Sequence, residues 1–135
     1  MKSGIFGAYD VRGVYPKTIN EDIIGRVGFS AAKLLLGGNK KGSLVVGHDA
    51  RLSSLKLYRA LINSIQKASP KSKLHLAGFI TTPEMSFLVN HLKSDGGMMV
   101  TASHNPKQYN GVKFVKKKGV PVNGEEIYAI YKKLR

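Results

Sequence analysis

The chain has no cysteine, few acidic residues and no long apolar run. The absence of cysteine from its 135 residues excludes a disulfide scaffold, thiolate zinc sites and cysteine nucleophiles. No segment approaches the ~18 apolar residues of a membrane span, and the N-terminus lacks the apolar run of a signal peptide. We therefore expect a soluble, cytoplasmic protein with no membrane partner.

Basic residues are abundant where acidic residues are scarce. The chain has 22 Lys and Arg against 8 Asp and Glu, which gives a formal net charge of +14 at pH 7. Such an imbalance predicts an anionic partner, for example a phosphate ester, a nucleic acid or an acidic neighbouring domain. Hydrophobic residues make up 42% of the sequence, which excludes a disordered tail.

The order of strand and helix patterns predicts an α/β domain. Apolar runs typical of strands occur at residues 43–47, 74–77, 97–101 and 111–115, and helical patterns lie between most of them. A weaker strand pattern at 4–9 runs into a predicted loop at 10–13. We predict a single three-layer α/β/α domain over residues 1–135, with a mixed, mostly parallel sheet of four to five strands.

Cap and stop signals delimit the predicted helices. Thr18 has the capping-box spacing to Glu21 and predicts the start of the first helix, which Gly37 ends. Ser53 or Ser54 is expected to cap the second helix. A third helix is expected to open at residues 81–83, and a last one to span 125–134. The predicted buried face of the third helix consists of Phe87, Leu88, His91 and Leu92.

Four loops follow predicted strands, at residues 9–13, 48–53, 81–83 and 103–113. Because ligands of open α/β sheets bind at the carboxyl ends of strands, we expect these loops to converge. Within the second loop, Asp49 and Arg51 are expected to form an ion pair.

The fourth loop carries the strongest chemical signal. The motif TASHNP at 101–106 runs into this loop, and the motif YNGVK at 109–113 completes it. Small residues leave room at Ser103, and the tight turn expected at 110–111 would bring Lys113 back towards it. A serine hydroxyl beside His104 and Lys113 predicts a nucleophile or a phosphoryl carrier. A hydrolase triad is disfavoured, because no Gly-x-Ser-x-Gly elbow is present and the side chains of neighbours Ser103 and His104 tend to point apart.

Four motifs together resemble those of the α-D-phosphohexomutases, the phosphoglucomutase/phosphomannomutase family. They are FGAYDVRG at 6–13, VGHDARLS at 46–53, TP at 82–83 and TASHNP at 101–106. The second motif often has Arg in the family where this chain has His48. The resemblance covers nearly the whole chain but only the first of the family's four domains.

The resemblance implies a phosphoserine mechanism. The serine that matches Ser103 passes its phosphoryl group to a hexose phosphate and takes back the other phosphoryl group from the bisphosphorylated intermediate. The net reaction interconverts hexose 1-phosphates and 6-phosphates. Arg12 matches a family arginine that binds phosphate. Lys113 matches the lysine proposed as the acid/base group, and His104 is a second acid/base candidate. The remaining candidates for binding phosphate or shaping the loop are Tyr9 and Asn110.

The resemblance also implies Mg²⁺, held in the family by the phosphoserine and an Asp-Gly-Asp-type loop of the second domain. This sequence contains no such loop, so only the phosphate on Ser103 is expected to contribute to the metal site. The sugar-selecting loop and the distal phosphate-binding domain are also missing. We expect the N-terminal domain of a longer enzyme, with a phosphosugar and domains II–IV as partners and no turnover by this domain alone.

Two alternatives remain open. A basic nucleic-acid-binding domain accounts for the charge, but the lysines are dispersed and no nucleic-acid-binding motif is present, so we expect no specific nucleic acid. A regulatory phosphoserine domain without catalysis accounts for the serine loop. The sequence does not distinguish glucose, mannose and glucosamine phosphates.

Overall fold

Six strands and four helices occur in the part of the chain that the computed structural model describes, residues 4–38 and 41–134. The strands are β1 (Asp10–Val14), β2 (Ser43–His48), β3 (Lys73–Phe79), β4 (Gly96–Val100), β5 (Tyr109–Lys116) and β6 (Val120–Pro121). The helices are α1 (Glu21–Leu36), α2 (Ser54–Ala68), α3 (Thr82–His91) and α4 (Gly124–Tyr131), and a 3-10 turn at Lys117–Gly119 joins β5 to β6.

All six strands belong to one mixed sheet. Five of them follow the order β1-β5-β4-β2-β3, and β6 pairs with the last residues of β5. Strand β2 is parallel to β3 and β4, whereas β5 is antiparallel to β1, β4 and β6. Five strands therefore run in one direction, although three of the five pairings are antiparallel. The α/β class and the mixed sheet are confirmed. The sheet has six strands rather than four to five, because the two-residue β6 is too short to leave a periodic pattern.

Helices cover both faces of the sheet. Residues of α1, α2 and α4 form the larger core on one face, whereas α3 packs on the other face through Met85 and Val89. Alternation along β4 divides its side chains accordingly, so that Met98 joins the larger core and Met99 the smaller one. Within the described residues, no helix has the length and apolarity needed to cross a bilayer.

The first strand lies later in the chain than we predicted. Residues 4–9 form turns, with only a bridge from Phe6 to Val11, whereas β1 occupies most of the predicted loop. Phe6 is instead buried, with its ring 5.0 Å from the rings of Tyr128 and Tyr131. Residues 10–14 are a strand because they pair with β5, a constraint that comes from distant residues.

The start of α1 also differs from the prediction. Its N-cap is Asn20, whose Oδ1 accepts a hydrogen bond from the Ile23 amide at 2.9 Å. Thr18 is not the cap, because its hydroxyl accepts from the Val14 amide at 2.8 Å in the turn after β1. The predicted end is confirmed, since Gly37 adopts the left-handed conformation with φ of 53°.

Helix α3 begins as predicted, but the face that it buries against the sheet is not the predicted one. Thr81 caps it, accepts from the Glu84 amide and completes a capping box with that residue. The buried residues are Met85 and Val89, four positions apart, whereas Phe87 is 63% exposed. The predicted buried face was wrong because α3 has two apolar stripes, and only its packing on the sheet selects between them. Of the predicted face, Leu88 is partly buried, whereas Phe87, His91 and Leu92 are exposed.

Strands β1 and β5 approach each other closely at Gly111. This residue lies opposite Arg12, and a Cβ placed on it would overlap the backbone of Val11 and Arg12. The strand that carries Arg12 can therefore lie beside β5 only because position 111 has no side chain.

We expect Gly111→Ala to lower the free energy of unfolding by about 1–3 kcal/mol, the usual cost of forcing atoms into a packed site. Gly25→Ala is the matched control, because Gly25 lies inside α1 and a Cβ added there would meet open space. That change should raise stability by about 0.5–1 kcal/mol, since alanine favours a helix over glycine. Urea unfolding of both variants tests this expectation, and an undiminished stability of Gly111→Ala would contradict it.

Candidate functional site

The carboxyl ends of β2, β3 and β4 border one pocket on the α3 side of the sheet. Its volume is about 530 Å³, within the range of roughly 300–1,000 Å³ typical of small-molecule sites. The loops predicted at 48–53, 81–83 and 103–113 all contribute to this pocket, whereas residues 10–13 of the loop predicted at 9–13 are part of β1. The pocket is lined by residues 49–50 and 79–83 and by Met99, Thr101, Ser103, His104 and Lys113.

Ser103 occupies an unusual position in this pocket. Its backbone is left-handed, with φ of 56°, which costs about 1–2 kcal/mol for a residue with a side chain. Its Oγ is buried and has no hydrogen-bond partner among the described residues, a further cost of about 1–3 kcal/mol. Strain of this kind concentrates at functional sites, so Ser103 is the first candidate for a reactive group.

Arg51 lies in the loop after β2 and fixes the backbone of the serine loop, residues 101–109, which runs from the end of β4 to the first residue of β5. Its Nη2 donates to the carbonyl oxygens of Ser103 at 2.8 Å and Asn105 at 2.9 Å. Its Nη1 donates to those of Pro106 at 2.7 Å and Tyr109 at 3.2 Å. The planar guanidinium can satisfy four carbonyls at once because its donors have a fixed fork geometry.

Asp49 orients that guanidinium. Its Oδ2 accepts from Arg51 Nε at 3.2 Å and from the Thr101 hydroxyl at 2.7 Å. Its Oδ1 accepts from the Arg51 amide at 3.1 Å and from the Ser54 hydroxyl. The predicted ion pair is thus confirmed, but its role in holding the serine loop was missed, because the carbonyl acceptors carry no side-chain signature in the sequence.

Asn110 supports the same network from inside the protein. It is fully buried, and its Nδ2 donates to the hydroxyls of Ser53 at 2.8 Å and Ser54 at 3.0 Å. Its Oδ1 accepts from the Gly111 amide at 2.9 Å. Both the amide nitrogen and the amide oxygen of Asn110 are therefore engaged inside the protein, between the start of α2 and β5. Ser53 does stand at the N-cap of α2, but its side chain makes no capping hydrogen bond.

Lys113 and His104 line the pocket together with Ser103. Lys113 is half-buried on β5 and lies opposite Met99 of β4 and Asp10 of β1. His104 is exposed on the loop directly after Ser103. The structure therefore brings together the serine and both predicted acid/base candidates.

Arg12 and Tyr9 lie outside the set of residues that line the pocket. The register of β1 with β5 places Arg12 on the same sheet face as Lys113, with its Nε 3.8 Å from Asp10 Oδ2. The Arg12 side chain is half-exposed, which leaves it available to an anion that extends across β5. Tyr9 is 60% exposed in the turn before β1.

Tyr15 holds the far end of the serine loop. Its amide donates to the Gln108 carbonyl at 2.9 Å, and its hydroxyl donates to Glu21 Oε1 at 3.0 Å. Burial raises the pKa of Tyr15, and the hydrogen bond to Glu21 and the charge of that carboxylate raise the pKa further. The phenol therefore remains a donor to Glu21 throughout the neutral pH range.

The residues that the structure describes do not by themselves fit a Mg²⁺ site. Magnesium prefers six oxygen ligands in near-ideal octahedral geometry. Both carboxylate oxygens of Asp49, the acid in the pocket, already accept hydrogen bonds within the protein. Within residues 4–38 and 41–134, no group of three His, Cys, Asp or Glu side chains is placed to hold a metal.

The chain is similar to known proteins over almost its whole length. Residues 3–135 match a family model described as phosphoglucomutase/phosphomannomutase, alpha/beta/alpha domain I. A protein of Xanthomonas campestris pv. campestris (strain B100) named "Phosphohexose mutases" is 42% identical over 120 residues, which are 89% of this chain and 25% of that protein. A phosphomannomutase of Klebsiella pneumoniae is 41% identical over 120 residues, or 89% of this chain and 73% of that sequence.

A solved structure has the same fold. It is a putative phosphomannomutase from Thermus thermophilus, 40% identical to this chain, with a TM-score of 0.81. The superposition covers 98% of this chain and 30% of that one. The chain thus spans about a quarter of the Xanthomonas relative and under a third of the Thermus protein.

We expect Ser103→Gly to raise the free energy of unfolding by about 0.5–1 kcal/mol, because glycine adopts the left-handed conformation without strain. Ser86→Gly is the matched control, since Ser86 lies inside α3, where the same change should cost about 0.5 kcal/mol. Thermal unfolding of both variants measures the difference. A loss of stability in Ser103→Gly equal to that in Ser86→Gly would contradict the strain argument.

Proposed function

The chain belongs to the phosphoglucomutase/phosphomannomutase family, in which it corresponds to alpha/beta/alpha domain I, and on that premise we propose that it is the catalytic phosphoserine domain of a phosphohexomutase. Such an enzyme interconverts hexose 1-phosphates and 6-phosphates through a bisphosphorylated sugar. Ser103 is the phosphoryl carrier, and a phosphosugar is the substrate. The relatives' names leave open which hexose this protein acts on.

The observation that carries this proposal is the unpartnered hydroxyl of Ser103 in a pocket shared with His104 and Lys113. The buried Oγ would have to rotate about the Cα–Cβ bond to meet a ligand in the pocket. Because it makes no hydrogen bond in its present orientation, that rotation breaks none. A hydroxyl that is close to a pocket and free to turn suits a group that must both accept and release phosphorus.

Phosphoryl transfer to Ser103 proceeds by a balanced exchange of bonds. A bond forms between Ser103 Oγ and phosphorus as the bond between phosphorus and a sugar oxygen breaks. The serine proton passes to a base, for which Lys113 and His104 are the candidates, and the sugar oxygen takes up a proton. Transfer in the other direction reverses each step.

Cationic groups would stabilise the charge that develops on the phosphoryl oxygens. Lys113 lines the pocket, and Arg12 stands on the same sheet face one strand away. Positioning and charge neutralisation account for most of the catalysis in phosphoryl transfer. Arg12 would bind the phosphate of a ligand that spans β5, and in doing so would leave its pair with the mostly buried Asp10.

A complete catalytic site requires residues beyond these 135. The phosphate on Ser103 would supply an oxygen to Mg²⁺, while the other ligands would come from another domain. The contacts that distinguish one hexose from another would also come from another domain. The chain covers 25% of its Xanthomonas relative, which supports further domains as its partners. We therefore propose phosphoryl uptake by this domain without sustained mutase turnover.

The test is incubation of the chain with glucose 1,6-bisphosphate or mannose 1,6-bisphosphate, followed by intact-mass analysis and peptide mapping. We expect one phosphoryl group, on the peptide that contains Ser103, and none in Ser103→Ala. Ser86→Ala is the control, because Ser86 lies on α3 outside the pocket and should leave uptake unchanged. A coupled assay on the same samples should detect no sustained conversion of hexose 1-phosphate to 6-phosphate.

Phosphorylation that persists in Ser103→Ala, or no uptake by the parent chain, would contradict the proposed carrier. Salt-sensitive binding to DNA or RNA in the absence of uptake would favour the nucleic-acid-binding alternative. Robust turnover by the chain alone would contradict the need for further domains.

A further inference from the structure

A large aromatic side chain stands on the rim of the serine pocket. Phe79 ends β3 and lines the same pocket as Ser103 and Lys113, yet 71% of its surface is exposed. Exposing an aromatic ring to water has a cost of roughly 1.5–3 kcal/mol relative to burying it. Because nothing in the phosphoryl-transfer step requires an apolar group, Phe79 calls for a separate explanation.

An irregularity in the sheet sets the position of Phe79. The register of β2 with β3 shifts between Val46 and Gly47, and Gly78 has a positive φ of 69°. Such bulges bend a strand and re-aim the side chains that follow. The Gly78 amide donates to the Tyr58 hydroxyl at 3.2 Å, which anchors the irregular segment to α2. The irregular backbone immediately before Phe79 thus sets the direction in which its side chain leaves β3.

The Phe79 ring has an aromatic neighbour in His48. It stacks on His48, with ring centroids 6.3 Å apart and planes at 25°. The His48 ring is in turn 4.7 Å from the ring of Tyr58, and its Nδ1 is 2.8 Å from the Asp49 carbonyl oxygen. The same segment that orients Arg51 therefore also supports the aromatic rim.

We propose that Phe79 is a sugar-recognition residue, against whose ring the carbon-bound hydrogens of a hexose pack while a phosphate of the same ligand lies at Ser103 and Lys113. This inference rests on the proposed function and deepens it. A pyranose ring has an apolar face of C–H groups that suits an aromatic surface, and a few polar groups beside such a surface are typical of sites for small ligands. Phe79 would thus favour phosphate esters of ring sugars over esters that lack a ring.

Phe87 provides a matched comparison. It is also an exposed phenylalanine, 63% accessible, and stacks on His91 at 5.3 Å. It lies on α3, away from the residues that line the serine pocket. The two residues share exposure and a histidine neighbour, and they differ in their access to the site.

The experiment compares two phosphoryl donors on the full chain. One is glucose 1,6-bisphosphate, and the other is acetyl phosphate, which has no sugar ring and releases acetate when its phosphoryl group passes to Ser103 Oγ. The rate of phosphorylation at Ser103 is followed by mass spectrometry in the parent chain, Phe79→Ala, Phe79→Tyr and Phe87→Ala. Thermal unfolding of each variant reports on folding separately.

We expect Phe79→Ala to slow transfer from glucose 1,6-bisphosphate by about three- to tenfold, the usual worth of a specific aromatic contact. Transfer from acetyl phosphate should be unchanged, Phe79→Tyr should retain both rates, and Phe87→Ala should match the parent chain.

Equal loss with both donors, or no loss with either, would overturn the role of Phe79 and leave the phosphoserine intact. If the parent chain accepted phosphate from acetyl phosphate but not from the sugar bisphosphate, the proposed function would fail together with the role of Phe79. If the parent chain accepted phosphate from neither donor, the proposed function would itself fail.

Discussion

The guanidinium of Arg51 donates to three backbone carbonyls of the loop between β4 and β5 and to that of Tyr109, the first residue of β5. Asp49 binds the guanidinium through Nε and also accepts a hydrogen bond from Thr101 at the start of the loop. Because β2 and β4 are neighbouring parallel strands, the two loops emerge side by side and can be joined in this way. The left-handed backbone of Ser103 is unfavourable in isolation. Contacts made by Arg51 and Asp49 allow it to persist, and the rest of the site depends on that geometry.

Local signals predicted the elements whose patterns are strong. The apolar run at 43–47 became β2 because a strand buried on both faces needs such a run wherever it lies. The glycine at position 37 ended α1 because a left-handed residue was needed there. Residues 10–14 lacked this kind of signal, and only pairing with β5 makes them a strand. The burial of Met85 rather than Phe87 likewise depends on how α3 meets the sheet.

The candidate site likewise has features that the sequence predicted and features that it did not. The position of Ser103, His104 and Lys113 in one pocket could be anticipated from motifs at the ends of strands. The contacts of Arg51 could not, because backbone carbonyls of the serine loop look alike in any sequence. The rim position of Phe79 follows from a register shift that period-two alternation does not encode. The net charge of +14 is compatible with a phosphorylated ligand but identifies no residue that binds it.

Arg51 is the group that orders the serine loop, and ¹⁵N relaxation of backbone amides in residues 103–109 measures that order most directly. We predict order parameters of about 0.85 in the parent chain, as for rigid backbone, and a fall to about 0.6 in Arg51→Lys, whose ammonium lacks the fork geometry. Arg59→Lys, on the exposed side of α2, should leave them unchanged. A loop that stays equally ordered in Arg51→Lys, or that is already flexible in the parent chain, would contradict the account.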